Sequence, residues 1–374
     1  MLLRKSLRNI KKTFASLVLC ANVAQALIVT HQLRPNGNFE TVALGNACST
    51  IAKENFSARC NPALFSYSQE DDVSVIFAGK SDGNSIDNGH NLIFYPITEE
   101  MVRKIFQTSS FTTFSFNSDF VFKAKMFEIA YSPYYLLADL YMFNPAFPEI
   151  SLYIVNHENL RLTSGRKLGQ STIFSNTFSL SAGGSIFYYE HGFANTVFSV
   201  FDLALSSPED LVQMKTIYGV AADLGFFVDN DSLFFPKLAL QIKNINSKIN
   251  DGHDQRNDLG TAAVMQTNFL FETYSTLGLG KNLKTTYGAF DLSLEIPFYG
   301  YFLELGQEHI IMSSRYNIGL FSLLFSSGKY FQSWGMRFNS QYLNIGLTYS
   351  RESCLGSAQQ STEHSIYTGI DIIL

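Results

Sequence analysis

Long apolar runs are what this chain most conspicuously lacks. After residue 26 no stretch offers about 18 uninterrupted apolar residues, so no transmembrane helix is expected. Charge is also scarce, at 16% of 374 residues, against the usual quarter for a soluble domain. There are four cysteines and no CxxC pair, which excludes a zinc site of that kind. GxSxG, HExxH and Walker A patterns are all missing. His253 lies among Asp251, Asp254 and Asp258 in a run so polar that it reads as a solvated loop rather than a cation site. Glu190-His191 and Glu308-His309 read as rim residues at strand ends. No enzymatic activity, metal site or cofactor is therefore expected.

Aromatic residues are abundant, at 14%, with 34 Phe and 19 Tyr against a single Trp. A chain that is aromatic-rich, poor in charge and free of long apolar runs fits a barrel whose lipid-facing residues alternate with lumenal ones. The competing fold is a large soluble β-sandwich with two buried faces.

The first residues set the compartment. Arg4, Lys5, Arg8, Lys11 and Lys12 precede the apolar run Phe14–Ala21, and Ala24-Gln25-Ala26 supplies a small-x-small cleavage site. Residues 1–26 thus read as a secretory signal peptide. Leu19 stands where a lipoprotein signal needs a small residue, so Cys20 is not read as a lipidation site. Cleavage lowers Lys+Arg from 27 to 22 while Asp+Glu stays at 32. That sign opposes a polyanionic partner, and nucleic acid is excluded. Cys48, Cys60 and Cys354 survive cleavage, and an oxidising periplasm allows a Cys48–Cys60 disulfide.

From about residue 110 the sequence alternates with period two. Phe290, Leu292, Leu294 and Ile296 oppose Asp291, Ser293 and Glu295, the pattern of a strand with one apolar face. Sixteen candidate strands emerge. They include 111–117, 119–129, 134–143, 149–157, 172–182, 184–191, 262–274, 285–297, 299–307 and 314–325. Since bacterial single-chain barrels need an even number and some candidates are weak, about fourteen strands are expected. Short helical insertions are expected after Thr98 and after Ser207-Pro208. Ile366, Ile370, Ile372 and Leu374 alternate to the carboxyl terminus, and are expected to face lipid in the closing strand, with Asp371 toward a wet lumen. A soluble protein seldom ends on such an exposed apolar strand.

Ahead of the first strand lies Leu44-Gly-Asn-Ala-Cys-Ser-Thr-Ile-Ala-Lys-Glu-Asn-Phe-Ser-Ala-Arg-Cys-Asn-Pro-Ala-Leu64. Its small-residue stretch followed by Asn61-Pro62-Ala63 resembles the opening of the FadL-like outer-membrane barrel superfamily. Asp223-Leu-Gly225, Leu238–Asn244 and Leu305-Gly-Gln-Glu308 are similar to strand motifs of those barrels. The resemblance implies an all-β, antiparallel transmembrane β-barrel of fourteen strands over 71–374. Residues 27–70 would plug its lumen. It also implies a passive transporter of hydrophobic small molecules in the bacterial cell outer membrane. The alternative is a non-transporting barrel that acts as a scaffold or binding partner in secretion, conjugation or surface-protein assembly. The partners implied are outer-membrane lipid, the barrel-insertion machinery and a hydrophobic small-molecule ligand. The chain departs from the pattern in carrying Cys48 and Cys60 in the plug, and no fatty-acid carboxylate site can be carried over.

Overall fold

The computed structural model describes residues 39–51, 57–67, 71–82, 111–143, 149–173, 176–199, 215–230, 232, 234–251, 273–299, 304–305, 310–329, 331–354 and 361–374. The expected signal peptide, the two expected helical insertions and the polar run 252–258 lie outside them.

Fourteen strands form the wall. They are β1 Asp72–Asp82, β2 Phe111–Ala124, β3 Phe127–Phe143, β4 Glu149–Ile173 and β5 Asn176–Ser199. Next come β6 Lys215–Asn230, β7 Lys237–Asp251, β8 Tyr274–Lys284 and β9 Ala289–Tyr299. The last are β10 Ile311–Ile318, β11 Phe321–Gly328, β12 Phe331–Asn339, β13 Leu343–Cys354 and β14 Ser361–Ile373. A two-residue bridge, Glu304–Leu305, adds to the end of β9. Each strand pairs antiparallel with its sequence neighbours, and β1 pairs with β14, so the ring closes. The Leu374 amide donates to the Val73 carbonyl at 2.8 Å beyond the last ladder pair. Closure leaves no open edge and satisfies the wall's backbone groups internally, as hydrocarbon requires.

Register turns the period-two sequence into two surfaces. Phe290, Tyr316, Leu323, Met336, Leu347, Thr368, Gly79 and Phe116 are successive cross-strand partners around eight strands. Phe321, Phe338, Ile345, Ile370 and Phe77 form a second such row. The large apolar members of these rows face outward, and Leu323, Met336 and Ile370 are 50%, 52% and 42% exposed. The intervening positions turn inward and are polar or small, among them Ser322, Arg337, Asn344 and Asp371. One outer apolar band over a polar interior is the outer-membrane arrangement and excludes a sandwich with two buried faces.

The connections are unequal. Residues 125–126, 174–175, 285–288, 319–320 and 340–342 join strands at one end. Residues 83–110, 200–214 and 252–273 join them at the other. β1 begins and β14 finishes at the end with short connections.

Several strand boundaries differ from expectation. Residues 111–117 and 119–129 are one strand continued through a register slip at Ser118/Phe120, and the turn falls at 125–126. The extra residue of the bulge belongs to β3, and β2 keeps its alternation through Ser118. The candidate 172–182 begins on the last two residues of β4. Its remainder from Asn176 and the candidate 184–191 are one strand, β5, and 149–157 continues to Ile173. Conversely, 314–325 is two strands, because Gly319 takes φ +57° in a two-residue turn. The candidate 262–274 falls almost wholly outside the described residues, and β8 starts at its end.

Candidate functional site: the filled lumen and the bulged strand

The lumen is occupied by the chain's own N-terminal segment. A short helix, α1 (Phe39–Ala43), ends in a sharp reversal. The Gly45 amide donates to Val42 and the Asn46 amide to Thr41, at 2.9 and 2.7 Å, with both Gly45 and Asn46 left-handed. This pairing satisfies the last carbonyls of the helix. The segment then runs to Ile51, and continues after the undescribed 52–56 as α2 (Ser57–Cys60) and a 3₁₀ turn at Pro62–Tyr67. Ala43, Leu44, Cys48, Ile51 and Cys60 cluster with Leu324 of the wall.

A backbone enclosed by the barrel must find its hydrogen-bond partners there. Wall side chains supply them. Thr348 Oγ1 donates to the Phe39 carbonyl at 2.9 Å, Ser333 Oγ to that of Ala43, and Ser313 Oγ to that of Ala47. The Ser49 amide donates to Glu295 Oε1 at 2.7 Å, and Thr50 Oγ1 donates to Ser293 Oγ at 2.8 Å. This explains why inward positions carry so many hydroxyls.

Charge fixes two further points. Glu40, fully buried, pairs with Arg337 and lies 3.6 Å from Arg315, which also holds Asp291 at 2.8 Å. Arg59 of α2 pairs with Asp119 of β2 at 2.6 Å.

Asn61, Pro62 and Ala63 sit where the plug meets the wall. Asn61 Oδ1 accepts the Ala63 amide at 3.0 Å, an Asx turn, while its Nδ2 donates to the Phe226 carbonyl at 3.2 Å. The Pro62 carbonyl faces the backbone at Gly165 and Gly183. A Cβ on Gly165 would come within 2.6 Å of that oxygen, so only glycine admits the plug this closely.

Cys48 and Cys60 are joined by a disulfide, with Cα atoms 5.6 Å apart. Closing a loop of this size adds roughly 3 kcal/mol by restricting the unfolded segment. Mass spectrometry of unreduced, alkylated protein is expected to find both thiols blocked. Alkylation of both without reduction would disprove the linkage in solution.

The wall beside α2 is irregular. In β3 the ladder to β2 slips between Ser118 and Phe120, and the ladder to β4 slips between Ser132 and Tyr135. Pro133, which has no N–H to donate, lies at this double slip. Asp119 faces it from inside and receives both Ser132 Oγ, at 2.5 Å, and Arg59. One carboxylate therefore ties the plug to an irregular stretch of the wall; the β6–β7 ladder also slips, at Val220/Ala222 and Ala222/Leu224, and β4–β5 slips at Lys167/Gly169.

Of the closing-strand residues, Ile366, Ile370, Ile372 and Leu374 are exposed on the outer face. Asp371 turns inward as expected, but not into water. It is 4% exposed and accepts from Asn344 Nδ2 at 3.2 Å, because the plug fills the lumen. His191 is not a rim residue. It lies within β5, buried, with its ring centroid 5.7 Å from that of His157 of β4. Sequence reasoning did not single out Glu40, Arg59, Asp119 or His157. For Asp119 and His157 the signal was inward parity, visible once the register is known; Glu40 and Arg59, on the plug helices, left none.

No family model matches the chain, and no curated protein matches it. Solved structures give a likeness. The P. putida toluene transporter TodX aligns at 10% identity over 90% of this chain and 98% of that one, with a TM-score of 0.45. The CymD monoaromatic hydrocarbon channel aligns at 9% identity over 90% and 96%, TM-score 0.47. A Pseudomonas aeruginosa FadL homologue aligns at 11% identity over 90% and 96%, TM-score 0.40. The transport unit of the Escherichia coli autotransporter AIDA-I also reaches 0.40, at 9% identity over 91% and 99%. With these scores below 0.5, the architecture rests on the chain's own strand pairing and its function on its own residues.

Proposed function

We propose that this chain is an outer-membrane β-barrel that passes hydrophobic small molecules passively across the bacterial outer membrane. The short-connection end, which carries both the start of β1 and the end of β14, then faces the periplasm, as is usual for such barrels. A filled lumen bars free diffusion along the barrel axis, so an apolar solute needs a break in the wall. The observation that carries the reading is the double register slip around Pro133, latched to the plug through Asp119 and Arg59. Among the slips of the wall, this one is tied by a charge pair to α2 of the plug, which supports a passage there rather than a purely structural bulge.

The test is initial uptake of labelled toluene and of a labelled long-chain fatty acid by cells that express the chain. Deleting Pro133 restores continuous pairing of β3 and is expected to lower uptake at least about tenfold while the barrel still forms. Equal uptake by cells with the wild-type chain, with the deletion and without the chain would overturn the proposal in favour of a scaffold role.

A further inference from the structure

Away from the plug, β4 and β5 bring two histidines together. His157 and His191 are direct cross-strand partners, 34 positions apart in sequence. Both turn inward and both are buried, at 4% and 2% exposed. Their ring centroids lie 5.7 Å apart, with the planes at 62°. Two imidazoles that share one ion, each with a nitrogen about 2.1 Å from it, have centroids about 5–6 Å apart. The spacing is thus the one a shared ligand requires.

His157 supplies a second, independent observation. Neither Nδ1 nor Nε2 has a hydrogen-bond partner, although the ring is buried. A buried polar group without a partner is costly and is rare unless something fills the site. The ring is held in place by near-parallel packing on Tyr189, at 6.4 Å and 16°. The nearby cation, Arg161, is paired with Asp223 at 2.7 Å.

We propose that His157 and His191 bind one divalent first-row transition-metal ion, zinc or copper, in the lumen wall. Imidazole nitrogens suit these ions and not magnesium or calcium, which take oxygen ligands. No group of three or more His, Cys, Asp or Glu that could hold a metal ion occurs among the described residues, so two positions remain for water or solute. Such a site is exchangeable, not structural. It does not depend on the transport reading.

The experiment uses the untagged, signal-cleaved chain folded in detergent, titrated with Cu(II) and, separately, with Zn(II). One ion per folded barrel is expected, with hyperfine coupling from two imidazole nitrogens in the Cu(II) electron paramagnetic resonance spectrum. His157→Ala and His191→Ala should each weaken binding at least about tenfold, since loss of a ligand costs no less than loss of its supporting partners. His364→Ala, on the exposed outer face, should leave binding unchanged. A wild-type spectrum without imidazole coupling, or binding that survives both lumenal substitutions, would overturn the assignment. The spectrum needs no variant, so the proposal stays testable even if a substitution impairs folding.

Discussion

Ile370→Lys removes the barrel from the outer membrane, whereas Asp371→Asn leaves it there. The two positions are adjacent in β14 but face opposite environments. Ile370 pairs with Phe77 and Ile345 in an outward apolar row, so a lysine there meets hydrocarbon, at a cost of about 2–4 kcal/mol near the bilayer midplane. Asp371 lies inward against Asn344, and asparagine keeps its volume and an acceptor. Lysine at 371 is a poorer control than a water-filled lumen would have made it, because the site is buried. Deleting 370–374 removes the pairs from Ser74 to Phe77 and the closing bond to Val73, exposing an edge that aggregates or is degraded. The readout is outer-membrane yield together with gel mobility before and after boiling. Equal yields for Ile370→Lys and Asp371→Asn would show that the register of β14 is wrong. Normal insertion of the truncation would show that β14 does not close the ring.

The outer surface was legible because a lipid-facing strand must alternate, and β9 and β14 do so without interruption. Legibility failed where another constraint overrode the period. At Ser118 a small polar residue interrupts the row Phe116, Phe120, Phe122 although the parity continues, and one strand looked like two. Around Asn317–Phe321 the apolar residues run straight through a two-residue turn, and two strands looked like one. In β4 the outward Leu160 and Leu162 alternate with Asn159, Arg161 and Thr163, but 166–172 are mostly polar and exposed on both sides, so the far end of the strand left no signal. The site fared worse for a simpler reason. Arg59 and Asp119 are 60 residues apart, and Glu40 and Arg337 are 297 apart. Such pairs exist only through the strand register and the path of the plug, and neither is encoded in local spacing. Asn61-Pro62-Ala63 stood out because its geometry is local, an Asx turn followed by a fixed proline bend. What that turn docks against, the glycine-lined wall at Gly165, Gly183 and Gly225, emerged only in three dimensions.

Loss of Glu40 should unlatch the plug without opening the wall. Glu40→Ala removes the carboxylate paired with buried Arg337, while Arg315 keeps Asp291. Breaking a buried ion pair from one side costs about 3–5 kcal/mol, more than α1's few wall hydrogen bonds offset. The ring ladder does not pass through α1, so the barrel should stay closed and heat-modifiable while residues 39–47 leave the lumen, with Cys48 still tethered to Cys60. Two measurements follow the release. In a planar bilayer, ion conductance should rise clearly above that of the wild-type barrel. In folded protein, the segment should become cleavable by added protease. Adding Arg337→Met should recover much of the loss, because removing both partners leaves no orphaned charge. Rescue by this second substitution separates an ionic latch from a packing defect at Glu40, which Met at 337 would not repair. Wild-type conductance in the Glu40→Ala barrel would mean that the hydroxyl contacts from Ser313, Ser333 and Thr348 hold the plug unaided, and that the charge pair is dispensable.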